Sequence, residues 1–226
     1  IRALSFVRKT KYFLKLDVRK YFDSIDHGIL KALFRKRIKD VRVLALLGAI
    51  VDSYSVAGGC GIPIGNLTSQ YFANEYLSCL DHHAKEILGL HAWVRYMDDI
   101  LVCDDSRDTL DMACQRVEEY CRHRLALALK PRILDLCKNG APFLGFLVKP
   151  SGLFLTRKTR VRFAKKSACI EHAYQRCQLS EGDAAKSVTA MVAHIALARS
   201  GSYRYHLFHG GSRGNEPRQS GRELEQ

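Results

Sequence analysis

The fold is decided by the stretch HAWVRYMDDILVC, residues 91–103, in which two adjacent acids stand between two apolar segments. Residues 91–96 and 100–103 are short and apolar, which predicts a β-hairpin with Asp98 and Asp99 at its tip. Adjacent aspartates are common in turns for purely conformational reasons. Apolar strands on both sides are a poor setting for two charges without a role, so this pair is a candidate site.

A further acid closes another predicted strand. Residues 12–16 alternate in polarity and are rich in aromatic residues, and Asp17 follows them. If this strand neighbours the hairpin, three carboxylates converge, and a few carboxylates are what Mg²⁺ takes from proteins that transfer phosphoryl groups. Because successive strand residues point to opposite faces, we expect Asp98 to be the central ligand and Asp99 an outer one.

The remaining pattern predicts an α+β fold, with a small antiparallel sheet backed by helices. Asp26 and Ser106 are expected to cap helices, and Leu125, Leu127 and Leu129 alternate as a strand that Pro131 ends. The helices are expected at residues 27–39, 41–54, from 68 onward, 106–124, 157–178 and 184–199. A hairpin is expected at residues 143–148 and 153–155.

Amino-acid composition restricts the kinds of partner and the cellular compartment that we expect. The net charge of +13 over 226 residues favours polyanions, nucleic acid before membrane. Eight cysteines without a C-x-x-C pair indicate reduced thiols in a cytoplasmic protein rather than a zinc site. No apolar run approaches the roughly 20 residues that span a bilayer.

Four segments, in order, resemble the boxes of reverse transcriptases. Tyr96-Met97-Asp98-Asp99 looks like the Y-x-D-D box, and residues 17–23 (DVRKYFD) look like the first aspartate box. Residues 61–70 (GIPIGNLTSQ) resemble the glycine box before the long palm helix, and residues 143–146 (FLGF) resemble the primer-grip hairpin. The resemblance covers roughly residues 12–156 and is nearest to bacterial retron, group II intron and diversity-generating retroelement enzymes.

The resemblance implies a polymerase palm at residues 1–156, a partial helical thumb at 157–208 and a disordered tail at 209–226. It implies that an RNA template directs the addition of deoxynucleotides to the 3′ end of a DNA or RNA primer, with two Mg²⁺ ions as cofactors. An accessory protein of the retroelement is a further expected partner. Two rivals stay open: an RNA-templated RNA polymerase, and an inactive nucleic-acid-binding fragment.

The resemblance also assigns roles to individual residues. Catalytic acids and metal ligands are Asp17, Asp98 and Asp99, with Val18 as a further ligand through its backbone. Residues expected to bind the nucleotide are Val18, Tyr21, Phe22, Ile64 and Gly65. Residues expected to bind primer or template are Arg95, Tyr96, Met97, Phe143, Leu144, Gly145, Arg157 and Lys158.

At three places in the sequence two interpretations remain open. Phe22 is expected to be a gate against the ribose 2′-hydroxyl, and otherwise a core aromatic. Arg95 either approaches the primer or pairs with a structural acid. Lys130 or Arg132 is a candidate proton donor to the leaving pyrophosphate, because the family sometimes has a lysine in this region.

The glycine box departs from the commoner Gln-Gly-x-x-x-Ser-Pro of the group. Ile64 stands first and Gln70 last, which resembles the diversity-generating retroelement enzymes. Isoleucine lacks the hydrogen bonds that glutamine can offer to a nucleotide, so we expect an error-prone enzyme. The alternative is that Ile64 only packs under the following helix.

Basic residues recur at helical spacing after residue 156 and are expected to grip nucleic-acid phosphates, with a merely solvated face as the alternative. They are Arg157, Lys158, Arg160, Arg162, Lys165, Lys166 and Arg176. Sixteen residues precede Asp17, so the basic fingers that precede this box in the family are expected to be missing. A fragment of this kind is expected to polymerise poorly by itself.

Overall fold

A four-stranded antiparallel sheet lies at the centre of the first part of the chain, with its strands in the order β2-β3-β1-β4. The computed structural model describes residues 2–209. The strands are β1 (Tyr12–Asp17), β2 (Trp93–Tyr96), β3 (Asp99–Asp104) and β4 (Ile133–Leu136). The β1–β3 register pairs Tyr12 with Asp104 and Asp17 with Asp99, so the acids of two strands meet at one end of the sheet.

Strand alternation divides the sheet into two faces. Leu14 and Leu16 of β1 are buried with Ile100 and Val102 of β3 in the main hydrophobic core, where each large side chain contributes about 1.5–3 kcal/mol. Lys15 and Asp17 therefore lie on the opposite face, where Asp99 also lies because it pairs directly with Asp17.

Helices cover the core face of the sheet. Phe72, Tyr76 and Leu80 of one long helix pack into the same core as Leu110 and Val117 of another. The helices of this part are α1 (Arg2–Lys9), α2 (His27–Arg37), α3 (Val41–Asp52), α4 (Leu67–His82) and α5 (Arg107–Leu125). A 3₁₀ turn covers Tyr21–Ser24, and a π-helical turn covers His83–Ile87. The expected α+β fold is confirmed.

The strand expected at residues 125–129 is wrong. Leu125 is the last residue of α5, because Val117, Cys121 and Leu125 continue one buried helical stripe. Ala126 then ends the helix in the left-handed region, with φ of 51°. Leu129 forms only an isolated bridge with Val18, and the fourth strand, β4, begins after Pro131.

The structure divides into two units between Gly152 and Leu153. In the first unit, β5 (Ala141–Phe143) and β6 (Phe146–Lys149) form a hairpin that turns at Leu144 and Gly145, so the unbroken strand expected at residues 143–148 is wrong. β7 (Gly152–Leu155) begins at the division, and α6 (Arg157–Gln175), α7 (Glu181–Ala196) and α8 (Gly201–His209) follow in the second unit. There Phe163 of α6 packs edge-on against Tyr203 and Phe208 of α8.

Some features lie beyond what the structure describes. The tail expected at 209–226 falls outside the described residues, apart from the backbone of His209, which ends α8. Within residues 2–209 no helix is both long and apolar enough to cross a membrane.

Candidate active site

The hairpin tip and the end of β1 bring three aspartates together. Asp17 and Asp99 are directly paired across β1 and β3, a relation that puts Cβ atoms about 4.5–5.5 Å apart. Asp98 lies beside them in the two-residue loop that joins the paired residues Tyr96 and Asp99. Met97, the other loop residue, has a φ of 53°, a strained conformation of the kind that proteins retain at functional sites.

Two lysines face these acids, and they differ in exposure. Lys15 is buried in β1, and its ammonium forms an ion pair with Asp99 Oδ1. Lys130 Nζ lies 2.6 Å from Asp17 Oδ1, and about half of the Lys130 side chain is exposed. Both Oδ1 atoms are shielded from water and are compensated by these ammonium groups rather than by well-directed hydrogen bonds.

Crowding of like charges changes the titration of the site. The pKa of Asp98 is raised, first by burial and then by repulsion from Asp17 and Asp99, with Lys130 and the backbone opposing the shift. The pKa of Lys130 is raised, chiefly by its close contact with the Asp17 carboxylate. Asp98 is therefore the acid whose charge is least compensated by protein groups, which suits a cation ligand.

The β5–β6 turn reaches the same acids. Leu144 and Gly145 form its two central residues with φ of 51° and 82°, the signs that a type I′ hairpin requires. The backbone N–H of Leu144 donates to Asp99 Oδ2 at 3.3 Å. The FLGF segment is thereby attached to the acidic cluster.

A family model described as reverse transcriptase (RNA-dependent DNA polymerase) matches residues 2–148. The chain belongs to the reverse transcriptase family. The match includes both aspartate boxes, the glycine box and the FLGF turn, so the four-box resemblance is confirmed at the level of the family. A search of curated proteins gives no match.

Two solved telomerase structures from Candida tropicalis share the fold of this reverse transcriptase. Apo telomerase truncated from its C-terminal domain is 15% identical with a TM-score of 0.51, over 69% of this chain and 39% of that chain. Telomerase in complex with a TWJ fragment of telomeric RNA is 12% identical with a TM-score of 0.55, over 90% and 41%. The chain thus spans about two-fifths of the length of these telomerase chains.

The donor set of the reverse transcriptase site suits magnesium. Within residues 2–209 no three His, Cys, Asp or Glu side chains are arranged as a ready metal cage. Mg²⁺ does not require one, because it is usually held by one or two carboxylates together with water and substrate phosphates. The shielded Asp17 oxygen and the crowded, half-buried Asp98 are carboxylate groups of this kind.

The hydrogen bonds around Val18 fix the direction of its backbone. Arg19 N–H donates to Ala128 O at 2.8 Å, and Lys130 N–H donates to Asp17 O at 2.8 Å. These bonds flank the Val18–Leu129 bridge, so the peptide groups of Val18 itself point to the other side of β1. That is the side on which β3 and the Asp98 turn lie.

The glycine box lies along the 3₁₀ turn that follows β1. Ile62 N–H donates to Phe22 O at 3.0 Å, and Gly61 N–H donates to Ile25 O at 2.8 Å. Phe22 is half-buried, whereas Ile64 is 78% exposed. The alternative that Ile64 packs under the helix is therefore wrong. Gly65 has a φ of 101° with open space where a Cβ would stand.

Two expected contacts with substrate do not agree with the structure. Tyr21 is 3% exposed, and its hydroxyl donates to Ala73 O, so its ring is part of the core rather than of a nucleotide pocket. Arg95 follows its structural alternative, because its guanidinium forms a 2.6 Å ion pair with Asp81 and also donates to Met97 O at 2.9 Å. Arg95 therefore supports the loop of the hairpin from inside.

The other predicted contact residues differ in accessibility. Tyr96, Leu144 and Gly145 are exposed, Met97 is half-buried, and Phe143 is buried. Arg157 and Lys158 are exposed in the first turn of α6, which belongs to the second unit.

Lys15 is the functional candidate that sequence reasoning missed. It is the lysine of the segment YFLKLD, in which the residues on both sides are apolar and buried. A charged side chain at the centre of such a strand needs a partner, because an unpaired buried charge is costly. That signal was present in the sequence, but the partner is visible only from the register of β1 and β3.

Proposed function

We propose that this chain carries the catalytic centre of an RNA-directed DNA polymerase, which adds deoxynucleotides to a primer 3′ end and releases pyrophosphate. The observation that carries the proposal is the pairing of Asp17 with Asp99 beside the Asp98 loop. Membership of the reverse transcriptase family supports it.

Asp17 and Asp98 would hold the metal, with Asp99 in an outer position. When bound, two Mg²⁺ ions neutralise charge on the attacking and leaving oxygens of the phosphoryl transfer. The chain itself contributes positioning, which dominates in reactions of this class. Lys130 holds a proton on Nζ beside Asp17 and is about half exposed, so we propose it as the proton donor to the leaving pyrophosphate.

The chain would select its nucleotide near the glycine box. Phe22 O accepts the backbone N–H of Ile62, and the exposed Ile64 follows two residues later, so the glycine box runs beside the turn after β1. We propose Phe22 as the gate against the 2′-hydroxyl and Ile64 as the surface facing the incoming nucleotide. An apolar residue there offers no hydrogen bond that selects the nucleotide, which supports an error-prone enzyme of the diversity-generating type. We propose that this enzyme acts with an accessory protein in the cytoplasm.

Palm and thumb are the proposed domains. We propose that residues 1–156 form the palm, which turns the exposed Leu144-Gly145 backbone toward the primer. Residues 157–208 would begin a thumb whose basic α6 side chains hold RNA template and primer phosphates. Contacts of this kind are largely independent of sequence.

The test is extension of a DNA primer on a defined RNA template, with deoxynucleotides and ribonucleotides offered in separate reactions. We expect extension with deoxynucleotides that is lost in Asp98→Asn. Asp108→Asn is the matched control, because Asp108 is an exposed aspartate in the first turn of α5, beyond the other end of β3.

Each contrary result identifies a rival function. Extension with ribonucleotides alone would identify an RNA-templated RNA polymerase. Tight binding of primer–template without any extension would identify a nucleic-acid-binding fragment.

A further inference from the structure

Lys15 holds a position that no part of the two-metal chemistry uses. It lies in the middle of β1 with only 9% of its surface exposed, and it is opposite Leu101 in the β1–β3 register. Asp17 is opposite Asp99, so Lys15 and Asp99 are diagonal neighbours on one face of the sheet. Its ammonium contacts Asp99 Oδ1 and donates to Leu16 O at 3.2 Å.

Asp99 connects this lysine to the β5–β6 turn. One carboxylate oxygen, Oδ1, meets Lys15, and the other, Oδ2, accepts the backbone N–H of Leu144. A carboxylate that is fixed on one side by a buried cation has little freedom to turn away from its second partner. Asp99 therefore links Lys15, at the centre of β1, to Leu144 in the β5–β6 turn through an ion pair and a hydrogen bond.

The ion pairs of the two lysines differ in how easily they can be separated. Lys130 pairs with Asp17 from an exposed position, so water or a substrate group can replace it. The Lys15–Asp99 pair is mostly shielded, with side-chain exposures of 10% and 23%. Separating it would leave a buried charge without a partner, which is strongly unfavourable.

We propose that Lys15 is a positioning residue. It holds the Asp99 carboxylate in the orientation that accepts the Leu144 N–H, and it thereby fixes the position of the β5–β6 turn relative to Asp98. This inference rests on the proposed function for its consequence, the placement of the primer 3′ end, but its structural part stands without nucleic acid. Asp99 acts in this account through Leu144 rather than mainly through a metal ion.

The direct test is hydrogen exchange of the Leu144 amide, read by two-dimensional NMR in metal-free buffer. In Lys15→Met we expect this amide to exchange on the order of tenfold faster, as for loss of a hydrogen bond to a charged group. Lys130→Met is the matched control, because it removes the same group from the Asp17 side of the cluster, and Leu144 exchange should then be unchanged. Equal acceleration in both variants would overturn the proposal.

A double variant separates positioning from folding. Lys15→Met can unfold the chain by leaving Asp99 unpaired, whereas Lys15→Met with Asp99→Asn removes both charges, an exchange that is often tolerated. We expect the double variant to melt near wild type while Leu144 still exchanges fast. Wild-type protection of Leu144 in a folded double variant would refute the role of Lys15.

A kinetic arm tests the consequence. In primer extension, we expect Lys15→Met to raise KM for primer–template several-fold, with KM for deoxynucleotide nearly unchanged. An equal rise in both constants would contradict positioning of the primer. If wild type extends no primer at all, the proposed polymerase function fails, and the exchange measurement alone decides the role of Lys15.

Discussion

Asp98 carries an electrostatic cost that its two neighbours avoid. Lys15 compensates Asp99 and Lys130 compensates Asp17, whereas Asp98 is half-buried beside both acids. Burial raises its pKa first, and the two carboxylates add to the shift. A site that keeps such a group exchanges stability for function.

This cost predicts a pH-dependent gain of stability in Asp98→Asn. An acid whose pKa is higher in the folded than in the unfolded chain destabilises the fold once it is ionised, above an unfolded pKa of about 3.9. In metal-free buffer we expect Asp98→Asn to melt at a higher temperature than wild type at pH 7. The difference should shrink as the pH falls toward 4. Differential scanning calorimetry measures it, and a lower melting temperature of the variant at pH 7 would contradict the assignment.

Ile64 gives a prediction for fidelity. Its side chain is 78% exposed beside the segment that is hydrogen-bonded to Phe22. Ile64→Gln adds hydrogen-bonding groups, so we expect several-fold less misincorporation on a defined RNA template. Sequencing of the products measures it. Leu67→Gln, at another exposed apolar position three residues later, should leave the error rate as in wild type. An error spectrum of Ile64→Gln that matches wild type would refute the role.

For single residues, the sequence predicted where the acidic residues lie better than it predicted which groups a side chain contacts. The convergence of Asp17, Asp98 and Asp99 was predicted on the condition that the strand ending at Asp17 neighbours the hairpin, and the β1–β3 pairing meets that condition. The buried position of Tyr21 was not predicted, because its partner Ala73 O is 52 residues away. For Arg95 the sequence left two alternatives open, and the ion pair with Asp81 decides for the structural one.

Elements were predictable where local chemistry determines them. Asp26 accepts from Ile29 N at 2.8 Å and Ser106 from Thr109 N at 3.2 Å, so both expected helix caps are confirmed. Leu125–Leu129 was not predictable from local alternation, because α5 continues its buried stripe to Leu125. At this position the burial of one helix face outweighed the alternating pattern that is typical of a strand.

The end of α5 gives a stability prediction at this scale. Ala126 is exposed in the left-handed region with φ of 51°, where a residue with a Cβ is disfavoured by roughly 1–2 kcal/mol. Ala126→Gly should relieve this at some cost in unfolded-chain entropy, for a net gain of about 1 kcal/mol and 2–4 °C in Tm.

Ala128→Gly is the control for Ala126→Gly. Ala128 is also exposed, but its φ is not positive, so glycine there should lower the melting temperature slightly. Chemical denaturation checks both variants. A less stable Ala126→Gly would show that its left-handed conformation is not strained.

The whole molecule is strongly basic, with a net charge of +13. The excess includes exposed side chains of α6, such as Lys158 and Lys165. Sequence composition predicted a polyanionic partner. It could not predict which basic surface binds that partner, because a net charge does not show where on the molecule the basic residues cluster. The division between Gly152 and Leu153 assigns α6 to the second compact unit.

Salt dependence of primer–template binding tests this surface. For duplex binding, the slope of log K against log salt falls by about one for each phosphate contact that is removed. We expect Lys158→Gln with Lys165→Gln to reduce the slope by about two. Lys85→Gln with Lys138→Gln, the same charge loss at exposed sites of the first unit, should reduce it by less. Equal slopes for the two double variants would contradict a thumb role for α6.

The central claim is that Asp17 and Asp98 form a polymerase centre, and single-nucleotide extension of a DNA primer on an RNA template tests it most directly. The rate is measured for wild type, Asp98→Asn and Asp108→Asn at saturating deoxynucleotide and Mg²⁺. We predict that Asp98→Asn loses about three orders of magnitude in rate, equivalent to roughly 4 kcal/mol of transition-state stabilisation, and that Asp108→Asn keeps the wild-type rate. Equal rates for wild type and Asp98→Asn would contradict the account.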